Sequence, residues 1–95
     1  MVGSADESDK RTKRLEFAIC LLGAAILRDP NDANAYRWRG LAHSFLEQLE
    51  LALVDFTKAS KIDPSNYKHL EEKANGKMKL KDYYGAIDNG KLIAA

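Results

Sequence analysis

An all-α fold assembled from stacked helical hairpins is predicted by three observations. Ala18-Ile19, Ala52-Leu53 and Ala86-Ile87 repeat an alanine–aliphatic pair at one constant interval. Asp29-Pro30 and Asp63-Pro64 repeat a helix-ending dipeptide at that same interval. Leu49, Leu53, Phe56 and Ala59 then fall at i, i+4, i+7 and i+10, one face of a helix. A period of about 34 residues is the mark of an array of two-helix units, each too small to bury its own apolar face.

The elements follow in order. Helices are predicted over about 9–28, 33–46, 49–62, 67–80 and 83–93. The polar, acidic residues 1–10 read as a disordered or artificially added end. The run LEFAICLLGAAIL, residues 15–27, gives the first helix; at thirteen residues it falls short of the ~20 that span a bilayer, so burial is expected. Proline cannot continue a helix and biases the residue before it toward extended backbone, so Asp29-Pro30 ends the first helix and Asp63-Pro64 the third. Asn31 or Asp32, and Ser65 or Asn66, can cap the helices that follow. Asn75-Gly76 is elsewhere a turn signal; the in-register flanks keep it helical here, at a local cost of about 1 kcal/mol relative to alanine. The fifth helix is loosened by Gly85 and Gly90. Small residues (Gly40, Ala52, Ala59, Ala74) are expected where paired helices cross closely, with Tyr36 and Phe56 filling the space beside them.

Composition narrows the function. The chain has 95 residues, enough for one domain with a thin core. Fifteen Lys and Arg against 14 Asp and Glu give a net charge of +1, which offers no reason to expect nucleic acid, a membrane or a strongly charged substrate. The lone cysteine, Cys20, has no internal disulfide partner, which fits a reducing, cytoplasmic setting.

The repeat resembles the tetratricopeptide repeat, whose pattern is W-x2-L-G-x2-Y, then A-x3-F, then P. The middle unit reads Tyr36-x2-Arg39-Gly40-x2-His43, then Ala52-x3-Phe56, then Pro64. Arg39 stands in place of the leucine and His43 in place of the tyrosine, while glycine, alanine, phenylalanine and proline are kept. The third unit begins Leu70-x2-Lys73-Ala74 and continues Lys81-Asp82-Tyr83-Tyr84-Gly85-Ala86-Ile87, with Gly90 where the large aromatic belongs. The first has only its second half, Ala18-x3-Leu22 and Pro30. The resemblance covers residues 15–95. It implies a right-handed α-solenoid of about five helices: the second half of a repeat over 11–30, a complete repeat over 31–64 and an incomplete one over 65–95. The absence of a cap and of the expected proline at the end suggests a truncated or engineered set of repeats.

The same resemblance implies a non-enzymatic scaffold that binds a peptide or protein segment in a concave groove lined by the first helix of each hairpin. By position the groove would present Asn34, Arg37, Trp38 and Leu41, then Lys68, Glu71, Glu72 and Asn75. Trp38 stands out, since tryptophan off the packing face is a frequent interface anchor. One subset of the family clamps acidic chaperone tails with lysine, asparagine and arginine at fixed places. Asn75 matches it, but Glu71 replaces the lysine, Trp38 an asparagine and Glu72 the arginine, so no working clamp is expected.

The alternative is a structural element that self-associates. The first helix is apolar nearly all round, and a helix apolar on every side is buried on every side. Leu15, Ile19, Leu22 and Ile26 would lack the cover of a preceding helix, so a homo-oligomer is expected through them, with Phe17, Leu21 and Leu27 around the rest of the circumference. Catalytic, cofactor and metal sites are not indicated. His43 and His69 fall on the first helices of different units, Asp29-x-Asn31-Asp32 lacks the glycine and glutamate of a calcium loop, and no phosphate loop is present. Lys10-Arg11-x-Lys13-Arg14 reads as a solvated helix end rather than a nucleic-acid contact.

Overall fold

The computed structural model describes residues 2–94, and the side chains of residues 7–85. Every regular element among them is a helix: α1 Val2–Arg28, α2 Ala33–Phe45, α3 Leu49–Ile62 and α4 Tyr67–Ala94. Each helix packs on its neighbour in sequence, and α2 also touches α4. The result is a slab of 46 × 34 × 18 Å with a radius of gyration of 15.7 Å, against about 13 Å for a compact domain of this size. A stack this thin leaves few residues fully covered.

The joints form where the proline spacing puts them. α1 ends at Arg28 and α3 at Ile62, one repeat period apart, and the starts of α2 at Ala33 and α4 at Tyr67 keep the same spacing. Asp32 caps α2 by accepting from the Ala35 amide at 3.2 Å. Asn66 accepts from the Lys68 amide at 3.0 Å at the start of α4, while Ser65 donates to Asp63 instead. Between α2 and α3 neither proline nor glycine is present. There Glu47 takes a left-handed φ of 62°, the Gln48 amide donates to the His43 carbonyl at 2.8 Å, and the Glu47 amide donates to Ser44 at 3.0 Å. This is a Schellman closure, which satisfies carbonyls that the helix end would leave open.

The core centres on Phe56, 3% exposed, wedged between α2 and α4. A Cβ on Gly40 would stand 2.6 Å from the Phe56 ring, and one on Gly76 would stand 3.2 Å from its other edge. Both glycines are buried and helical, so the Asn75-Gly76 pair is a packing site and not a turn. Tyr36, Ala33 and Ala59 form a second buried cluster, against which Ile26 and Ile62 pack.

Two expectations are corrected. The described residues form four helices rather than five, because α4 runs unbroken through residues 80–83, where a fourth and fifth were to separate. Residues 77–82 contain no glycine or proline, so nothing local stops the helix. At the equivalent α2–α3 joint, Phe56 and Asp55 reward the turn by packing on α2; their counterparts one period on are Gly90 and Asn89, residue types that offer much less. Ala74 is therefore exposed, since no returning helix crosses it. The Ala86-Ile87 pair and Gly90 lie beyond the described side chains. The other correction concerns the N-terminus: α1 begins at Val2, not near residue 9.

Candidate groove between the second and fourth helices

Helices α2 and α4 enclose an open cleft of about 350 Å³. Phe56 and Gly76 lie at its base. Leu41 and Phe45 contribute from α2, and Glu72, Asn75, Met78 and Asp82 from α4. They share the cleft because each set steps along one helix face: Leu41 to Phe45 is i+4, and Asn75 to Met78 is i+3.

Of the eight groove residues expected from the sequence, Leu41, Glu72 and Asn75 line this cleft. Trp38, three residues before Leu41 on α2, is 51% exposed, with the Arg37 guanidinium 4.9 Å from its ring centroid. The pair holds the indole in place by cation–π attraction while leaving much of its surface open. Asn34, Lys68 and Glu71 are exposed near the starts of α2 and α4, outside the cleft lining. Phe45 and Met78, 62% and 65% exposed, were not among the expected residues. Carrying the i+3/i+4 stride one step beyond Leu41 and Asn75 would have reached both.

A polar network joins α2 to α3. The Arg39 guanidinium donates to Asp55 twice, from Nε at 2.9 Å and from Nη2 at 2.8 Å. His43 Nε2 lies 3.7 Å from the same carboxylate, and its Nδ1 is 2.7 Å from Gln48 Oε1. Arg39 and His43 are the two polar departures from the repeat pattern, one turn apart on α2, and Asp55 answers both from α3. The Arg39 pKa is pushed above its usual value by its hydrogen bonds to Asp55, which outweigh the opposing effect of partial burial. The tip of Arg39 also approaches α1, where a Cβ on Gly23 would lie 3.8 Å from Nη1.

The remaining candidates are not brought together. His69 is fully covered, with Nε2 3.5 Å from Asp63, far along the fold from His43. Cys20 is an exposed thiol on α1. Leu15, Ile19, Leu22 and Ile26 are each half-buried on α1, which among the described residues packs on α2. The open side of α1 is instead Phe17, Leu21 and Leu27. Among the described residues no helix is long and apolar enough to cross a membrane.

No family model matches the chain. Over 70 residues, 72% of its length, the chain is 34% identical to the PEX5-related protein of Mus musculus and to that of Homo sapiens. The PEX5-related protein of Rattus norvegicus is 33% identical over the same length. The chain spans only 12%, 11% and 12% of these relatives, respectively. Its similarity is thus to a small part of much longer proteins.

Proposed function

We propose that the chain is a non-enzymatic interaction module of tetratricopeptide type that takes a peptide or protein segment in the cleft between α2 and α4. The observation that carries this reading is the cleft itself: Leu41, Phe45 and Met78 supply apolar contact above Phe56, and Glu72, Asn75 and Asp82 supply polar partners at its edge. Exposed apolar side chains grouped with a few polar ones are the chemistry of a peptide groove, where buried anchors give affinity and rim groups give register. Trp38 extends the surface along α2 as an aromatic anchor. The similarity to PEX5-related protein supports an interaction module of this kind.

Phage-displayed peptides selected on the immobilised chain test the reading. Binders should weaken at least tenfold against Leu41→Asp and against Trp38→Ala, with the helical circular dichroism of both variants unchanged. Peptides that bind the wild type and both variants alike would remove the groove as the site.

A further inference from the structure

We propose that the groove between α3 and α4 is a second docking site, for a partner segment that joins acidic side chains to an apolar stripe. It is independent of the α2–α4 cleft, which opens on another face of α4.

The groove is open and measures about 440 Å³. Its floor is apolar. Leu53 lies where the two helices meet, since a Cβ on Gly76 would stand 3.7 Å from its Cδ1. Val54 of α3 and Leu80 of α4 complete the floor, and Val54 is 65% exposed. Apolar surface left in water in this way favours a partner that covers it.

The walls select that partner by charge. Lys58 and Lys61 line the α3 side, one turn apart and both exposed. Lys73 and Lys77 precede Leu80 by seven and three residues, a stride that keeps them on the same face of α4. Among the described residues none of these four lysines is ion-paired. The acids nearby are engaged elsewhere. Asp55 holds Arg39, Asp63 accepts from Ser65 beside His69, and Glu72 lines the α2–α4 cleft. Glu71, nine residues before Leu80, falls on the opposite face of α4. Among the described residues Glu50 is the one acid of the lining, at the end away from Lys61, where it accepts the Tyr84 hydroxyl.

The basic half of the groove is thus unanswered within the chain and complements carboxylates. Lysine stems can lie along apolar side chains of a partner while their ammonium groups stay in water. A concave floor between two helices receives a peptide or helix laid along it. A flat anionic bilayer would meet the lysines and miss Leu53, and a nucleic-acid backbone would leave the apolar floor uncovered. An acidic amphipathic segment uses both features.

Two model helices test this by fluorescence anisotropy: a peptide whose leucine stripe is flanked by glutamates, and its twin with lysines in place of the glutamates. The glutamate peptide should bind the wild type and weaken about tenfold or more in Val54→Asp and in the double variant Lys58→Glu, Lys61→Glu. Its affinity should fall as salt is raised, because exposed charges are screened. The double variant should prefer the lysine peptide, reversing the wild-type choice. All three replaced side chains are exposed, so helical circular dichroism should not change. Leu41→Asp, in the α2–α4 cleft, should leave this binding as it is, so the two sites fail separately. A wild type that ignores the glutamate peptide, or that binds both peptides alike, overturns the proposal. So does a glutamate peptide that binds the variants as tightly as the wild type. If that peptide fails while phosphatidylserine vesicles sediment the wild type, the lysines serve a membrane surface and the proposal is overturned.

Discussion

Arg39 and Asp55 clasp one another across the α2–α3 hairpin by two hydrogen bonds, with the aspartate side chain 4% exposed and the arginine side chain 26%. A leucine at position 39, which the repeat pattern favours, would pack without needing any such answer. Having placed a cation there, the fold requires the acid.

Asp55→Ala is therefore expected to cost about 3 kcal/mol, since it strands a partly buried guanidinium and removes the anion near His43. The double variant Arg39→Met, Asp55→Leu should lie within about 1 kcal/mol of wild type, because an apolar pair of similar volume needs neither desolvation nor a partner. Urea unfolding followed by circular dichroism measures both. Equal losses in the single and double variants would mean that the site depends on shape and not on the ion pair.

Gly40 and Gly76 contact opposite edges of the Phe56 ring at different tightness. Gly40→Ala should destabilise by about 1–3 kcal/mol, since its Cβ would stand 2.6 Å from a ring atom backed by the rest of the core. Gly76→Ala has 3.2 Å to the ring, and the gain of about 1 kcal/mol in helix propensity offsets what the ring must give. Adding Phe56→Leu to Gly40→Ala should restore part of the loss. Thermal melts of the three variants check the order, and a Gly76→Ala loss equal to that of Gly40→Ala would contradict it.

Glu47 holds φ at 62°, where a side chain costs about 1–2 kcal/mol and glycine almost nothing. Glu47→Gly should thus raise stability by about 1 kcal/mol after allowing for glycine's greater freedom when unfolded. The Glu47 side chain is exposed, so little packing is lost. A lower midpoint in urea would show that the turn is held by something other than its backbone geometry.

Tyr84 donates its phenolic proton to Glu50, which pushes its pKa above the usual 10.0. A raised folded value means that the contact favours the fold below the unfolded pKa of 10.0 and loses that contribution as pH climbs through the folded value. Phenolate absorbance should therefore show one of the four tyrosines ionising late. Glu50→Gln or Tyr84→Phe should abolish that late step. Its persistence in Glu50→Gln would assign it to another tyrosine. Because Tyr84 is exposed, the fold itself should hardly respond.

Local chemistry was enough to read the helical class, the two proline joints and the capping by Asp32 and Asn66. Each depends on residues close together in the chain: a ring that cannot continue a helix, a short polar side chain that accepts from an amide. The repeat pattern likewise puts Phe56 beside Gly40. Position within a repeat sufficed to place Leu41, Glu72 and Asn75 on the α2–α4 cleft. It did not place Phe45 and Met78, which enter the cleft only because α2 and α4 run on beside each other. The turn expected near Lys81 depends on packing between helices. Glu47 and Lys81 occupy the same place in the repeat, and neither is a residue that makes a turn by itself. The chain turns at Glu47 because Phe56 and Asp55 gain a partner by folding back, and it runs straight at Lys81 because Gly90 and Asn89 have little to gain. Prolines and caps dictate where a helix must stop. Packing dictates where one could have stopped and did not, since a strained turn forms only when the contacts beyond it outweigh its cost.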